Sequence, residues 1–108
     1  METITTIEKI NEAIKLAEKL AVESEIQTNG YVEYWYNFSA NYWQKEDKSR
    51  IYLNLKYGRS RKWTRGVQYC IDLNTEKVFD CSRDYNNANE RGIMKQIADH
   101  VFDFLFEP

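Results

Sequence analysis

The sequence predicts an α+β fold, in which an N-terminal helix and a C-terminal helix pack on one face of a four-stranded antiparallel sheet. Near both ends of the chain, apolar residues recur at steps of three and four. Between residues 31 and 82 they alternate with polar residues, and the connections are short enough for an antiparallel meander. A length of 108 residues favours one compact domain spanning 1–108.

The N-terminal helix is indicated by a stripe of isoleucine, alanine and leucine, with glutamate and lysine on the opposite side. Thr5 and Glu8 have the spacing of a capping box, which predicts that the helix begins near Thr5. The pair Asn29-Gly30 favours a tight turn, so the helix should end near residues 23–25.

Four segments with the alternating pattern of strands follow this helix. The first covers 31–38 and the second 51–57, and the polar segment 44–50 between them is predicted to be a loop. Residues 67–73 and 78–82 are the third and fourth strands, joined by a turn. The sheet face opposite the helices should be open to water, because its predicted residues are mixed and mostly polar: Tyr52, Asn54, Lys56, Gln68, Cys70 and Asp72.

The C-terminal helix is indicated by an apolar row at steps of four, formed by Ile93, Ile97, Val101 and Leu105. Asn87 and Glu90 have the spacing of a second capping box. No apolar run approaches the roughly 18–20 residues needed to span a bilayer, so no membrane helix is predicted.

The thiols and the imidazole are too few to predict a metal site, a cofactor or a catalytic centre. The N-terminus lacks the pattern of a signal peptide, so we expect a cytoplasmic protein with Cys70 and Cys81 as free thiols. A disulfide would require these two cysteines directly opposite each other. His100 has no further metal ligand at helical spacing, and no nucleophile–base pair or Gly-rich phosphate loop is recognisable. We therefore expect a protein that is not an enzyme.

Charge is strongly separated along the chain, although the net charge is only −2. The segment from Lys48 to Ile71 holds seven of the 15 cations and none of the 17 acidic residues. A surface field of one sign steers partners of the opposite charge. This segment is therefore the first candidate for a binding surface.

The connection between the second and third strands interleaves cations with aromatic residues. Cationic side chains neutralise phosphates and flat rings stack on unpaired bases. We expect a small protein that binds nucleic acid, single-stranded or mainly through its backbone, by this basic, aromatic hairpin. An acidic protein surface is an alternative ligand, and solubility alone is a third explanation. The candidate residues are Tyr52, Lys56, Tyr57, Arg59, Arg61, Lys62, Trp63 and Arg65.

A second aromatic group lies between residues 31 and 43. Tyrosine and tryptophan are enriched at protein interfaces, so Tyr31, Trp35, Tyr42 and Trp43 form the alternative candidate, a protein interface. An edge strand rich in tyrosine could also pair two copies of the chain in a homodimer.

The order of four strands and a helix, with a basic aromatic hairpin, is similar to the ββββα units of single-stranded nucleic-acid binders of the Pur-alpha and Whirly types. The N-terminal helix departs from their order, and none of their motifs is matched. The chain's size and its asparagine and tyrosine content also resemble those of small accessory proteins of phages and mobile elements. That resemblance implies the alternative function, an anti-defence, anti-CRISPR-like inhibitor or adaptor that binds a host protein or nucleoprotein complex.

Overall fold

The computed structural model describes residues 6–27, 34–59, 63–82 and 88–107, and it confirms the predicted α+β fold. At positions 34, 59, 63 and 64 it describes the backbone alone. The elements in chain order are α1 (Ile7–Glu23), β1 (Tyr34–Lys45), β2 (Lys48–Arg59), β3 (Trp63–Asp72), β4 (Lys77–Asp80) and α2 (Ala88–Phe106).

The four strands form an antiparallel meander with the spatial order β1-β2-β3-β4. Both helices lie on one face of this sheet: α1 packs mainly on β1, and α2 mainly on β3 and β4. The three small residues Ala13, Ala17 and Ala21 form the buried stripe of α1 together with Ile10. Small side chains let a helix approach its neighbour closely, so this stripe favours a compact layer. No helix in the described ranges is both long and apolar enough to cross a membrane.

The core lies between the sheet and the two helices. β2 contributes three aliphatic side chains at alternate positions, Ile51, Leu53 and Leu55, each at most 1% exposed. α2 contributes Met94, Ile97, Ala98, Val101 and Leu105. The alternation along β2 therefore separates a dry face beneath the helices from the opposite face of the sheet.

The prediction of a loop over 44–50 is wrong. β1 runs to Lys45 and β2 begins at Lys48, so only Glu46 and Asp47 turn the chain. Glu46 adopts a positive φ of 55° in this turn. The start of β2 is also held from its other side, because the backbone N–H of Leu73 donates to the carbonyl of Ser49 over 2.9 Å. The polar residues at the start of β2 can form a strand because their backbone groups have partners on both sides, in β1 and near the β3–β4 turn.

The β2–β3 connection is also shorter than predicted. The ladder continues to the pair Arg59 and Trp63, and the predicted loop between Tyr57 and Gly66 is thus largely strand. Residues 60–62, between the two strands, lie outside the described part of the chain. The same holds for residues 31–33, the predicted start of β1.

The predicted ends of the helices agree with the structure to different degrees. The cap of α1 is Thr6 and not Thr5, because the Thr6 hydroxyl accepts a hydrogen bond from the Lys9 backbone N–H over 3.2 Å. The end of α1 at Glu23 agrees with the prediction. Asn87, the predicted cap of α2, lies outside the described residues.

An ion pair joins the first turn of α2 to the last strand. The Arg91 Nε donates to the Asp80 carboxylate over 2.9 Å, and the Ser82 backbone N–H donates to the same carboxylate over 2.9 Å. Burial alone would raise the pKa of Asp80, but the hydrogen bonds from Ser82 and Arg91 outweigh burial and lower it below its usual value. The charged carboxylate therefore stabilises the folded state.

This lowered pKa predicts a pH dependence of stability. The contribution of Asp80 is present above the ordinary aspartate pKa of about 3.9 and is lost as pH falls through the lower folded pKa. We expect Asp80→Asn to lower the free energy of unfolding by about 1–3 kcal/mol at pH 7 and by less in acid. Asp99→Asn is the control, since its carboxylate is exposed in a pair with Lys95 within α2. Urea unfolding at pH 7 and at pH 3 measures these changes. If Asp80→Asn lowered the free energy of unfolding equally at both pH values, the stabilising role of the charged Asp80 carboxylate would be contradicted.

Candidate nucleic-acid interface

The sheet face opposite the helices, called the outer face below, is defined by the strand register. Positions of β2 that alternate with the buried aliphatic residues point to this face, among them Tyr52, Asn54 and Lys56. Their cross-strand neighbours on β1 share the face, because side chains of paired residues lie on the same side. On β1 these neighbours include Trp35, Asn37, Ser39, Asn41 and Trp43, and on β3 they include Gly66, Gln68, Cys70 and Asp72.

An aromatic cluster occupies one end of the outer face. Trp43 and Tyr52 meet edge to face, with their ring centroids 6.3 Å apart and their planes at 75°. The guanidinium of Arg50 lies 5.8 Å from the centre of the Trp43 ring and donates to the Tyr52 hydroxyl over 3.2 Å. Cation–π and aromatic contacts of this kind hold the rings in place. All three side chains are half-buried, so part of each remains accessible.

Asp72 is the one acidic residue in β1, β2 and β3. Its carboxylate accepts from the Arg50 Nε over 3.3 Å and from the backbone N–H groups of Asn74 and Thr75 over 2.9 Å each. Burial would raise the pKa of Asp72, but the hydrogen bonds from Thr75, Asn74 and Arg50 together lower it. Asp72 is only 7% exposed, so its negative charge is used inside the protein rather than presented to a ligand.

A row of side-chain amides crosses the middle of the outer face. Gln68 Nε2 donates to Asn54 Oδ1 over 2.7 Å, and Asn54 Nδ2 donates to Asn41 Oδ1 over 3.0 Å. The row links three strands, and donors on the exposed Asn41 remain available at its end. It therefore supplies polar contacts between the aromatic cluster and the hairpin end of the sheet.

The hairpin end of the outer face carries two glycines, of which Gly58 is buried and Gly66 is exposed. Gly58 is the cross-strand neighbour of Trp35, and Gly66 is the neighbour of Lys56. A Cβ atom added to Gly66 would meet only the Leu55 carbonyl, at 3.8 Å, so the space above this glycine is open. Glycine inside a strand permits close approach of a ligand. Lys56 is exposed beside this flat area and has no ion pair with any described residue.

The structure corrects the assignment of Tyr57 to the binding surface. Tyr57 belongs to the core on the helix side, is 9% exposed, and stacks on Tyr36 with ring centroids 5.7 Å apart. Arg65 is its cross-strand neighbour and is half-buried on the same side. Both side chains therefore lie on the face opposite Lys56, because positions 57 and 65 differ in parity from the outer-face positions.

Of the remaining hairpin residues, Tyr52 and Lys56 share the outer face as predicted. Arg59 and Trp63 are paired in the backbone ladder. Arg61 and Lys62 lie outside the described residues, so their part in the predicted site stays a prediction.

The second aromatic group is divided by the sheet. Trp35 and Trp43 lie on the outer face, where they join Tyr52 and Lys56. Tyr42 does not belong to this surface: it packs against the core on the helix side, and its hydroxyl is 3.5 Å from the Ser49 hydroxyl. Tyr31 lies outside the described residues. The basic hairpin surface and the aromatic surface, which were predicted to be separate, thus partly coincide on the outer face.

Two expectations about exposure on the outer face are wrong. Cys70 is 1% exposed and Asp72 is 7% exposed, although both occupy outward positions. Cys70 lies opposite Phe79 and not opposite Cys81, whose backbone N–H donates to the carbonyl of Gln68 over 2.7 Å. The register places Cys70 between Tyr52 and Phe79, and Arg50 and the β3–β4 turn bind Asp72. Both cysteines are free thiols.

The difference in burial predicts that the two thiols react differently. Burial raises the pKa of Cys70 to about 11, and Cys81 is exposed. At pH 8 we expect iodoacetamide to modify Cys81 in the folded protein and Cys70 only after unfolding, as measured by mass spectrometry. Cys81→Ser should abolish labelling of the folded protein, and rapid labelling of that variant would contradict the burial of Cys70.

Within the described residues, the outer face presents aromatic rings, side-chain amides and the exposed Lys56 ammonium. Among the described residues, no group of three or more histidine, cysteine or acidic side chains is arranged to hold a metal ion. Comparison of the chain with protein-family models, with characterised proteins and with solved structures gives no match.

Proposed function

We propose that this protein binds single-stranded nucleic acid on the outer face of its sheet. One observation carries the proposal: Trp35 and Trp43 on β1 lie on the same face as Tyr52 and Lys56 on β2, the strand that leads into the basic β2–β3 hairpin. Aromatic rings on a cationic surface are the combination that binds unpaired bases and the adjoining phosphates. The protein acts by binding and catalyses no reaction.

Charge supports a polyanionic ligand. β1, β2 and β3 contain six cations and the single acid Asp72, which is already paired with Arg50. The acidic residues are concentrated in and near the helices, on the other side of the sheet and at the β1–β2 turn. A phosphate backbone would therefore be attracted to the sheet and would avoid the helix side.

The spacing of the rings favours a single strand over a duplex. Trp35 and Trp43 are eight positions apart on β1, which corresponds to about 26 Å at roughly 3.3 Å per residue. Several nucleotides of an extended strand fit along this distance, with the amide row between the two ends. In a duplex the bases are stacked on each other, and their faces cannot reach the rings.

A protein partner is the second candidate. Tryptophan, tyrosine and arginine are the residues that most often dominate protein interfaces, and Trp43, Tyr52 and Arg50 form one contact cluster. An inhibitor of a host protein or nucleoprotein complex, of the kind that phages and mobile elements encode, would use this cluster as its anchor.

The salt dependence of binding tests the proposal. We expect a labelled single-stranded oligonucleotide to bind with a slope of log K against log[salt] of about −3 to −4, corresponding to roughly four to six neutralised phosphates. Lys56→Gln should reduce this slope by about 1. Lys19→Gln, an exposed lysine on the solvent side of α1, is the matched control and should leave the slope unchanged.

Fluorescence anisotropy at three salt concentrations gives these slopes, with a duplex of the same sequence as a second ligand. Equal binding of duplex and single strand, or no binding at the lowest salt concentration, would remove single-stranded nucleic acid as the ligand. In that case the protein partner becomes the better candidate.

A further inference from the structure

β1 is a long strand at the edge of the sheet. Among the strands that the structure describes, β1 and β4 each pair with a neighbouring strand on one side only. β4 has four residues, whereas β1 has twelve, contains no proline and pairs with β2 in an uninterrupted register. Long regular edges without proline, bulges or inward charges are templates for pairing with another strand.

The outward hydrogen-bonding groups of β1 are identified by one contact. The backbone N–H of Phe38 donates to the Gln27 side-chain carbonyl, so the N–H of Phe38 points away from β2. Alternate residues of an antiparallel strand point their backbone groups the same way. Ala40, Tyr42 and Gln44 therefore also present N–H and C=O groups at the edge, and no hydrogen bond to those groups is found within the described residues.

The helix beside this edge exposes apolar side chains. The Lys9 ammonium lies 5.5 Å from the centre of the Phe104 ring of α2, which identifies the flank of α1 that faces α2. Ile7 and Val22 lie on the opposite flank and are 59% and 62% exposed. Because α1 packs on β1 and α2 packs on β3 and β4, this opposite flank lies on the β1 side of the molecule.

We propose that two copies of this chain pair through the β1 edge, across a two-fold axis, into a continuous eight-stranded antiparallel sheet. The segment from Ser39 to Gln44 carries no charged residue, so antiparallel self-pairing places no like charges opposite each other within it. A second copy supplies a strand for the edge and the same α1 flank to cover Ile7 and Val22. A single extended peptide would satisfy the edge and leave those side chains exposed.

Sedimentation equilibrium of the full chain tests the dimer. We expect a concentration-dependent monomer–dimer equilibrium, weakened at least tenfold by Val22→Glu. Phe79→Glu is the matched control, because Phe79 is also an exposed apolar residue (43%) but lies on β4 at the other side of the sheet. Ala40→Pro should also weaken the dimer without removing a β1–β2 hydrogen bond, because the Ala40 N–H points outward. A monomer at all concentrations overturns the proposal, as does a dimer that Val22→Glu leaves intact or that Phe79→Glu weakens equally.

Amide hydrogen exchange locates the interface independently of any variant. In the monomer we expect β2 to protect the N–H groups of Asn41 and Trp43, and we expect those of Ala40 and Tyr42 to exchange rapidly. The dimer should slow exchange at Ala40 and Tyr42 as protein concentration rises. A dimer in which these two amides stay unprotected would place the interface elsewhere. None of these measurements requires nucleic acid, so the dimer and the proposed function can fail separately.

Discussion

Trp43→Ala is expected to weaken binding of a single-stranded oligonucleotide by about 10- to 100-fold. Stacking of a base on an aromatic side chain contributes about 1–3 kcal/mol by alanine substitution. Trp43 is held for this contact by the Arg50 guanidinium and by the edge-to-face contact with Tyr52. Removing the indole therefore removes a stacking surface and also loosens the two side chains that border it.

Two further variants separate stacking from general damage to the protein. Trp43→Phe keeps a ring at this position and should recover most of the lost affinity. Trp35→Ala should cause a loss of similar size at the other end of the surface, and the two losses should add in free energy because the sites are far apart. Anisotropy titrations at one low salt concentration measure all three affinities. Unchanged affinity in both alanine variants, with the fold intact by circular dichroism, would exclude the outer face as the binding surface.

The largest effect on stability is expected for Leu53→Ala. Leu53 has no exposed surface and lies on β2, between two paired strands and beneath the helices. Truncation of a buried leucine costs about 2–5 kcal/mol, through lost apolar burial and the cavity left behind. The urea concentration at the midpoint of unfolding should fall accordingly. The dependence of the free energy of unfolding on urea concentration, the m-value, should stay the same.

Ser39→Ala is the control for this substitution. Ser39 is exposed on the outer face of the neighbouring strand, so its replacement should change the free energy of unfolding by no more than about 0.5 kcal/mol. Similar losses for Leu53→Ala and Ser39→Ala would mean that both faces of the sheet are buried. The outer face could not then be a binding surface.

The sequence predicted the elements and their faces because both depend on local periodicity. The stripe in α1 and the alternation over 51–57 specify which side chains are buried, and the structure confirms that assignment for Ile51, Leu53 and Leu55. The same alternation already placed Tyr57 with these residues. The prediction that Tyr57 contacts a ligand therefore conflicted with the alternation of buried and exposed residues along β2. That alternation correctly places Tyr57 in the core, where it stacks on Tyr36.

Strand limits and cross-strand neighbours could not be predicted in the same way. Residues 44–50 are polar because they lie at the end of the sheet, and polarity alone does not distinguish such strand ends from a loop. Trp35 and Trp43 share a face with Tyr52 because of the register between β1 and β2. No local pattern in β1 predicts that register. The position of Cys70 opposite Phe79 depends on β4, a strand of four residues.

The most direct test of binding on the outer face is a chemical-shift map by nuclear magnetic resonance, with a single-stranded oligonucleotide added to the labelled protein. We expect the indole N–H signals of Trp35 and Trp43 and the side-chain amide signals of Asn41 and Asn54 to shift, while the backbone amide signals of α1 and α2 stay in place. Shifts confined to the two helices, or none at a saturating oligonucleotide concentration, would contradict binding on the outer face.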